Sequence, residues 1–305
     1  MEERLRTHLD TLLARLGREI LAPHDVREAV AAFAPTPRER RQVYEQLRAE
    51  LTANDSAEAH RALASVPPDD DWELDDGRFV PGVPSIVRRA LCVGAIFYQA
   101  VQETVAQEAP SEENVAVAKT HLAWVRANLW DDFTDAERAM LSADVGAWRD
   151  ETLGAALARA EVFGVLAWAL SLVSKIPHYD EEFDGGVLAE AYEALRQGTA
   201  QPVLRERWQL RRANTEAARW HRRACVEPGA PHAATSFQGM LPRRPSDDPE
   251  VTATDFILFK KPYIHLTDDE RERAHTIATG RHIAASWLSG LTTDWDQPPT
   301  PQDGG

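Results

Sequence analysis

Glu161, Arg281 and His282 are the residues whose types and surroundings in the sequence most clearly suggest chemistry. Glu161 opens an apolar stretch, and we predict that it is paired because burying a lone carboxylate is costly. Arg281 is the predicted partner, since a guanidinium can hold a carboxylate through two parallel hydrogen bonds. A histidine beside such a pair could act as a general base. The three residues could instead form a structural network that determines how two helices pack, as many buried ion pairs do.

A second set of candidates lies at the end of the last predicted helix. Trp287, Asp294, Trp295 and Asp296 could form the wall of a binding cleft. Trp168, the largest side chain of the apolar stretch, is also a candidate binding residue. The alternative is that these tryptophans anchor the tail of the chain onto the helices, because tryptophan is highly buried on average.

An acidic run after the apolar stretch has part of the pattern of a calcium loop. Asp180, Glu182 and Asp184 occupy its first, third and fifth positions, and Gly185 occupies the sixth. The twelfth position should supply a bidentate glutamate, but it is Ala191, so the decisive ligand is missing. We therefore predict no metal. The chain has no His-Glu-x-x-His, glycine-rich phosphate loop, G-x-S-x-G or cysteine pair, so we also expect no cofactor.

Arginine is concentrated between positions 205 and 223, with two tryptophans interleaved. Such a helix could bind a nucleic-acid strand by stacking and phosphate contacts, or it could pair with acidic protein surface. The net charge of −15 disfavours nucleic acid and anionic membrane as partners over most of the surface. The residues concerned are Arg205, Arg207, Trp208, Arg211, Arg212, Arg219, Trp220, Arg222 and Arg223.

The elements that must position these residues are predicted to be helices. Arg159–Pro177 is the central one, because it carries no charge from Val162 to Leu172, and a helix that is apolar on every side belongs inside a helical protein. It is too short and too closely flanked by charge to span a membrane, and Pro177 should end it. Nearly every periodic segment has helical spacing. We predict an all-α fold, a multi-helix orthogonal or bundle-like domain with a small N-terminal helical extension.

Local signals predict where individual elements begin. Capping boxes start helices at Thr36, Thr134 and Thr267. Pro202 is predicted to open the arginine-rich helix, which should reach about Val226. Phe256–Phe259 is strand-like but isolated, so we expect it to dock on helices as an apolar segment, because a lone strand has nothing to pair with.

Composition divides the chain. We predict an N-terminal helical region at 1–66, an acidic linker rich in proline and glycine at 67–84, a main domain at 85–296 and a mobile tail at 297–305. Cys92 and Cys225 form no spaced framework, so reduced thiols in the cytoplasm are expected. The N-terminus opens with charge and has no apolar signal core, which agrees with that location.

Three motifs carry a resemblance to a known family. They are Arg88–Val93, Arg159–Glu161 with Val165–Leu170, and Arg281–Leu288 with Asp294–Asp296. Together they resemble an uncharacterised bacterial family, domain of unknown function 4272, over roughly Ser85 to Thr300. The resemblance implies that 227–265 is an insertion. The chain departs from the family at Ser171, Gly280 and Ser286, where the family has glycine, an acid and asparagine.

The family supplies no reaction or ligand, so the function must be inferred from the residues. The leading prediction is a non-catalytic cytosolic module that binds a protein partner not identifiable from the sequence. The alternative is an enzyme of unknown reaction that uses a pocket at Glu161, Arg281 and His282. Nucleic-acid binding through the helix between Arg205 and Arg223 is a third reading. An open pocket at Glu161 and His282 would favour the enzyme, and a dry, fully paired network would favour the interaction module.

Overall fold

The chain forms two compact units, Met1–Ser85 and Ile86–Gly305, and each is described by itself. The computed structural model describes residues 3–16, 26, 29–30, 32–34, 37–53, 59, 72–73, 79–225, 255–292 and 295. The predicted tail at 297–305, the capping box at Thr36 and most of the predicted linker and insertion lie outside these residues. The linker at 67–84 and the domain boundaries therefore stay predictions.

Two continuous helices are described in the first unit, α1 (Glu3–Leu16) and α2 (Pro37–Ala53). Leu9, Leu12 and Leu16 recur at helical spacing on α1 and are buried with Val43 and Leu47 of α2. This apolar stripe is what the two helices bury against each other. A short antiparallel pair, β1 (Trp72–Glu73) and β2 (Phe79–Val80), follows.

The second unit is helical, which confirms the predicted all-α class. Capping boxes at Thr134 and Thr267 are both present, as the sequence predicted. Single turns of 3-10 helix lie at Trp130–Asp132 and Tyr263–His265. Within the described residues, its helices are α3 (Val83–Glu108), α4 (Glu112–Asn128), α5 (Asp135–Leu141), α6 (Asp150–Leu157), α7 (Arg159–Ala169), α8 (Gly185–Arg196), α9 (Arg207–Ala224) and α10 (Asp268–Leu288).

Helix α7 is the centre of this unit, and every residue from Glu161 to Leu170 is buried. It packs against α10 and α8, while α9 packs on the other side of α10. Two glycines allow the close approach. A Cβ at Gly280 would lie 2.8 Å from the Cβ of Glu161, and one at Gly164 would lie 2.3 Å from the ring of Phe183.

The stretch Asp150–Ala169, which contains α6 and α7, is long and apolar enough to cross a membrane by length and composition. However, 56% of its most apolar window is buried inside the protein. The core helix of a soluble protein has this same character, so the stretch is weak evidence for a membrane span.

The prediction that the central helix runs to Pro177 is wrong, because α7 ends at Ala169. Ser171 takes a positive φ of 59°, a conformation that interrupts a right-handed helix. The freed carbonyls of α7 find partners in a distant segment. Leu170 accepts a hydrogen bond from the Val203 N–H (3.0 Å), and Ala169 accepts one from the Arg205 N–H (2.9 Å).

The same contacts explain why Pro202 does not open the arginine-rich helix, as had been predicted. Residues 201–206 are not helical, since their backbone N–H groups close the end of α7. Helix α9 begins at Arg207, with Glu206 and Gln209 forming a reciprocal cap.

The apolar run Phe256–Phe259 docks as predicted, with Phe256 and Leu258 buried. The expectation that it has no strand partner is wrong, because β3 (Ile257–Leu258) pairs with β4 (Lys261–Pro262) in a hairpin. Phe259 and Lys260 between them both have positive φ, 50° and 62°. Two-residue turns of this kind usually contain Asn-Gly or Asp-Gly. Phe-Lys at this position therefore does not predict a turn.

Both cysteines are free. Cys92 is buried in α3, and burial raises the pKa of its thiol to about 12. Cys225 is exposed directly after α9.

Candidate functional site

The predicted ion pair between Glu161 and Arg281 is present and almost fully buried. Arg281 Nε donates to Glu161 Oε2 at 2.7 Å. The contact is single rather than two-pronged, because the other nitrogens of Arg281 bind main-chain carbonyls. Nη1 donates to Pro177 (2.6 Å) and His178 (3.3 Å), and Nη2 donates to Glu181 (2.7 Å). Arg281 therefore ties the loop after α7 to α10.

The second oxygen of Glu161 is also occupied. Oε1 accepts the Phe183 N–H at 3.0 Å, from the far end of the same loop. Burial raises the pKa of the Glu161 carboxyl, and the charge and hydrogen bond of Arg281 oppose that rise. The guanidinium also lies 4.8 Å from the ring centre of Tyr179 and 5.2 Å from that of Phe183. The pair is thus the centre of a paired, aromatic-walled network.

His282 is not part of this network, although it follows Arg281 in the sequence. Its Nδ1 lies 3.1 Å from Ser286 Oγ, which in turn donates to Asn214 of α9 at 3.2 Å. Its ring lies 4.8 Å from that of His221, also on α9. Burial, with the charge of nearby His275, lowers the pKa of His221 to about 4. The structure brings Glu161 and Arg281 together and places His282 between α9 and α10.

Two of the three candidate tryptophans, Trp168 and Trp295, are packed against cations. Trp295 is buried, 5.0 Å from the ring of Trp287, with the guanidinium of Arg89 at 4.5 Å. Trp168 is buried on α7, with the guanidinium of Arg205 at 4.9 Å. Their predicted companions Asp294 and Asp296 lie outside the described residues. A binding role for this set stays a prediction.

The carboxylates of the calcium-like run have separate partners. Asp180 lies 2.5 Å from His178 Nδ1 and accepts the Phe259 N–H at 3.2 Å. Glu182 accepts from Arg273 Nε at 2.8 Å. Asp184 is instead the N-cap of α8, accepting two backbone N–H groups of its first turn. In the described part of the chain, no group of three or more His, Cys, Asp or Glu side chains could hold a metal ion.

Two of the arginines between 205 and 223 are structural. Arg205 Nε donates to the Trp168 carbonyl at 2.7 Å and so helps to close α7. Arg223 holds Asp255 in a two-pronged contact at 2.7 and 3.0 Å. Its guanidinium lies 4.2 Å from the ring centre of Tyr263. These contacts account for two members of the predicted basic surface.

The start of α9 remains exposed. Trp208 is 61% exposed and Val203, just before the helix, is 63% exposed. Arg211 and Arg212 are exposed three and four positions after Trp208, so they share its side of the helix. We call Trp208, Arg211 and Arg212, together with exposed Val203 five positions before Trp208 in the chain, the α9 face.

A cleft of about 590 Å³ lies beside Glu161. Neither Arg281 nor His282 lines it, so it is not the pocket of all three residues that the enzyme alternative expected. Its lining comes from α3, α6, α7, the loop before α8 and the first turns of α10, segments too far apart in sequence to show a motif. Of the candidate residues named from the sequence, Glu161 and Glu182 line it. The lining residues are Phe97, Gly154, Leu157, Ala158, Ala160, Glu161, Glu182, Phe183, Gly185, Asp269, Glu272, Arg273, Thr276 and Ile277.

A second buried polar network, also missed by sequence reasoning, joins α3, α4 and α8. His121 Nδ1 lies 2.8 Å from Gln99 Oε1, and Nε2 lies 2.8 Å from the Tyr192 hydroxyl. Because the Gln99 oxygen can only accept, Nδ1 carries the proton and Nε2 accepts from Tyr192. Burial lowers the pKa of His121 to about 4, which agrees with a neutral ring.

No protein-family model, curated protein or solved structure matches this chain. The resemblance to domain of unknown function 4272 therefore stays a prediction. A function for the chain must therefore be inferred from the geometry of its own surfaces.

Proposed function

We propose that this chain is a non-catalytic cytoplasmic interaction module that binds an acidic partner protein through the α9 face. The exposure of Trp208 is the observation that carries the proposal. Tryptophan is highly buried on average, and Trp and Arg are the residues that most often dominate the binding energy of protein interfaces. An exposed tryptophan beside two exposed arginines has the composition of such a centre.

The positive charge of the α9 face favours a partner with an acidic surface. Arg211 and Arg212 are exposed, and they make no ion pair with the residues that the structure describes. They would attract carboxylates, while Trp208 and Val203 would bury apolar side chains. The net charge of −15 on the whole chain repels a long nucleic-acid strand, so a protein with a short acidic and apolar segment fits better.

The pairing at Glu161 supports a non-catalytic role. A general base must reach the proton that it removes, directly or through one water. Both carboxylate oxygens of Glu161 already accept hydrogen bonds within the protein. His282, the other candidate base, hydrogen-bonds Ser286, and its ring lies 4.8 Å from that of His221 at another contact between helices. Glu161 does line a cleft, which is the observation that favours the enzyme alternative.

A photocrosslinker tests the face in the cells that make the protein. We would place p-benzoylphenylalanine at Val203, which leaves Trp208 intact, and at Val117 on α4 as a matched site that is 45% exposed. We expect a discrete protein adduct from position 203 that is absent from position 117. Adding Trp208→Ala or the pair Arg211→Glu and Arg212→Glu should abolish it.

Two results would contradict the proposal. Adducts of the same pattern from both positions would mean that the α9 face is not selective. Adducts to nucleic acid, sensitive to nuclease and weakened by salt, would support the nucleic-acid reading instead.

A further inference from the structure

The cleft beside Glu161 has the size and floor of a small-molecule site. Its volume of about 590 Å³ falls within the range of about 300–1,000 Å³ that is typical of ligand pockets. Phe97, Leu157, Phe183 and Ile277 supply apolar lining from four different segments. Such a surface binds the apolar body of a ligand by removing it from water.

The charged part of the lining is mainly acidic. Glu182, Asp269 and Glu272 stand against one cation, Arg273, which is already paired with Glu182 at 2.8 Å. Asp269 and Glu272 are exposed, and no ion pair joins them to the residues that the structure describes. Glu161 adds no net charge, because Arg281 neutralises it. The carboxylates of Asp269 and Glu272 are therefore left to determine the charge of the preferred ligand, which should be positive.

The positive ends of helix dipoles oppose the binding of a cation, but their effect is weaker than that of the carboxylates. Helices α7, α8 and α10 all begin at the cleft, and each N-terminus is equivalent to roughly half a positive charge. Their free N–H groups would bind an anion only if they were open. Asp184 caps α8 and Thr267 caps α10, and the first turn of α10 carries three acids. Helix α7 has no side-chain cap, but the full carboxylate charges at the cleft outweigh the partial charges of these helix ends.

We propose that this cleft binds a small organic cation with an apolar body, of the arylalkylammonium type. The apolar body would lie against Phe97, Leu157, Phe183 and Ile277, and the ammonium group would face Asp269 and Glu272. The site is distinct from the α9 face, and neither proposal depends on the other.

Three probes with one carbon skeleton test the sign of the charge. We would titrate the full-length protein with 4-phenylbutylammonium, 4-phenylbutanol and 4-phenylbutyrate by isothermal titration calorimetry at low ionic strength. The cation should bind at least about threefold more tightly than the alcohol, the scale of one exposed ion pair, and the carboxylate should bind most weakly. Tightest binding of the carboxylate would show that the helix ends prevail and would overturn the proposal, as would binding of none of the probes.

Variants locate the binding. The double variant Asp269→Asn and Glu272→Gln should lower affinity for the cation about threefold and leave affinity for the alcohol unchanged. Ala160→Phe, which fills the cleft, should abolish binding of all three probes. Glu190→Gln, at an exposed acid of α8 outside the cleft, and Trp208→Ala on the α9 face should bind like the wild type. Unchanged cation binding in both cleft variants would place the probe elsewhere and refute the site.

Discussion

Two buried polar networks in the second unit hold helices together with different groups. At one, Arg281 joins Glu161 to three main-chain carbonyls of the loop after α7. At the other, neutral His121 links Gln99 to Tyr192 through side chains alone. The charged network holds the main chain of a loop against a helix. The neutral network joins side chains of the three helices α3, α4 and α8.

Because the two networks use different groups, they should differ in how sensitive they are to pH. A guanidinium keeps its charge at every accessible pH, so the contacts of Arg281 with the loop carbonyls should persist in acid even if Glu161 gains a proton. The His121 network has one correct protonation state, because Nε2 must stay an acceptor for Tyr192. It should therefore fail in acid without any mutation.

Arg281→Ala should have the largest effect. Removing one partner of a buried pair leaves Glu161 uncompensated and should cost about 3–5 kcal/mol of unfolding free energy. Arg281→Lys should also be poorly tolerated, since an ammonium cannot reach the carboxylate and the divergent carbonyls together. Urea melts would measure both. Melts like the wild type would show that the pair is not buried as described.

Replacing both partners should sharpen the comparison. In the double variant Glu161→Leu and Arg281→Met, no charge is left unpaired, so stability should rise above that of Arg281→Ala. It should still lie about 1–3 kcal/mol below the wild type, because the loop carbonyls lose their donor. Full recovery in the same melts would show that those carbonyl contacts contribute nothing.

Acid should weaken the neutral network next. The folded pKa of His121 is about 4, against an ordinary value of 6.5. The unfolded chain therefore binds the proton first, and stability falls as pH drops through this window, by about 2 kcal/mol between pH 7.5 and pH 5. His221 should add a loss of the same sign.

The check is a set of melts at the two pH values. His121→Asn should lose part of this pH dependence, whereas His265→Gln, at an exposed histidine, should keep it. An equal pH dependence in His121→Asn would assign the acid sensitivity to other groups.

Tyr192→Phe should have the smallest effect of the series. It removes one neutral hydrogen bond and should cost about 1 kcal/mol. Tyr98→Phe on α3, at a partly buried tyrosine, is the matched control and should lie within about 0.5 kcal/mol of the wild type. A loss as large as that of Arg281→Ala would remove the distinction between the networks.

The parts of the fold that could be predicted from the sequence are those determined by residues close together in the chain. The capping boxes at Thr134 and Thr267 are complete within four residues, so their helix starts were readable. The end of α7 was not, because it depends on N–H groups of Val203 and Arg205 more than thirty positions away. The hairpin after Leu258 was missed because its turn uses Phe259 and Lys260 in place of glycine or asparagine.

The same limit applies to the site. A single acid at the edge of an apolar helix needs a cation, which is why the pairing of Glu161 with Arg281 was predictable. His282 differs from Arg281 by about 100° around α10, so it meets a different helix, and only the packing shows which one. The cleft depends on five segments meeting, and no spacing in the sequence records that.

The two free cysteines differ in burial, so their rates of reaction with a thiol reagent can report when the core of the second unit opens. A thiol reagent should modify exposed Cys225 in the native state, without any opening of the core, although partial burial raises the pKa of its thiol. Cys92, with its thiol pKa raised to about 12, should react only when α3 is released from the core. The slow step of labelling, followed by mass spectrometry, therefore times the rupture of the core around α3 without denaturant.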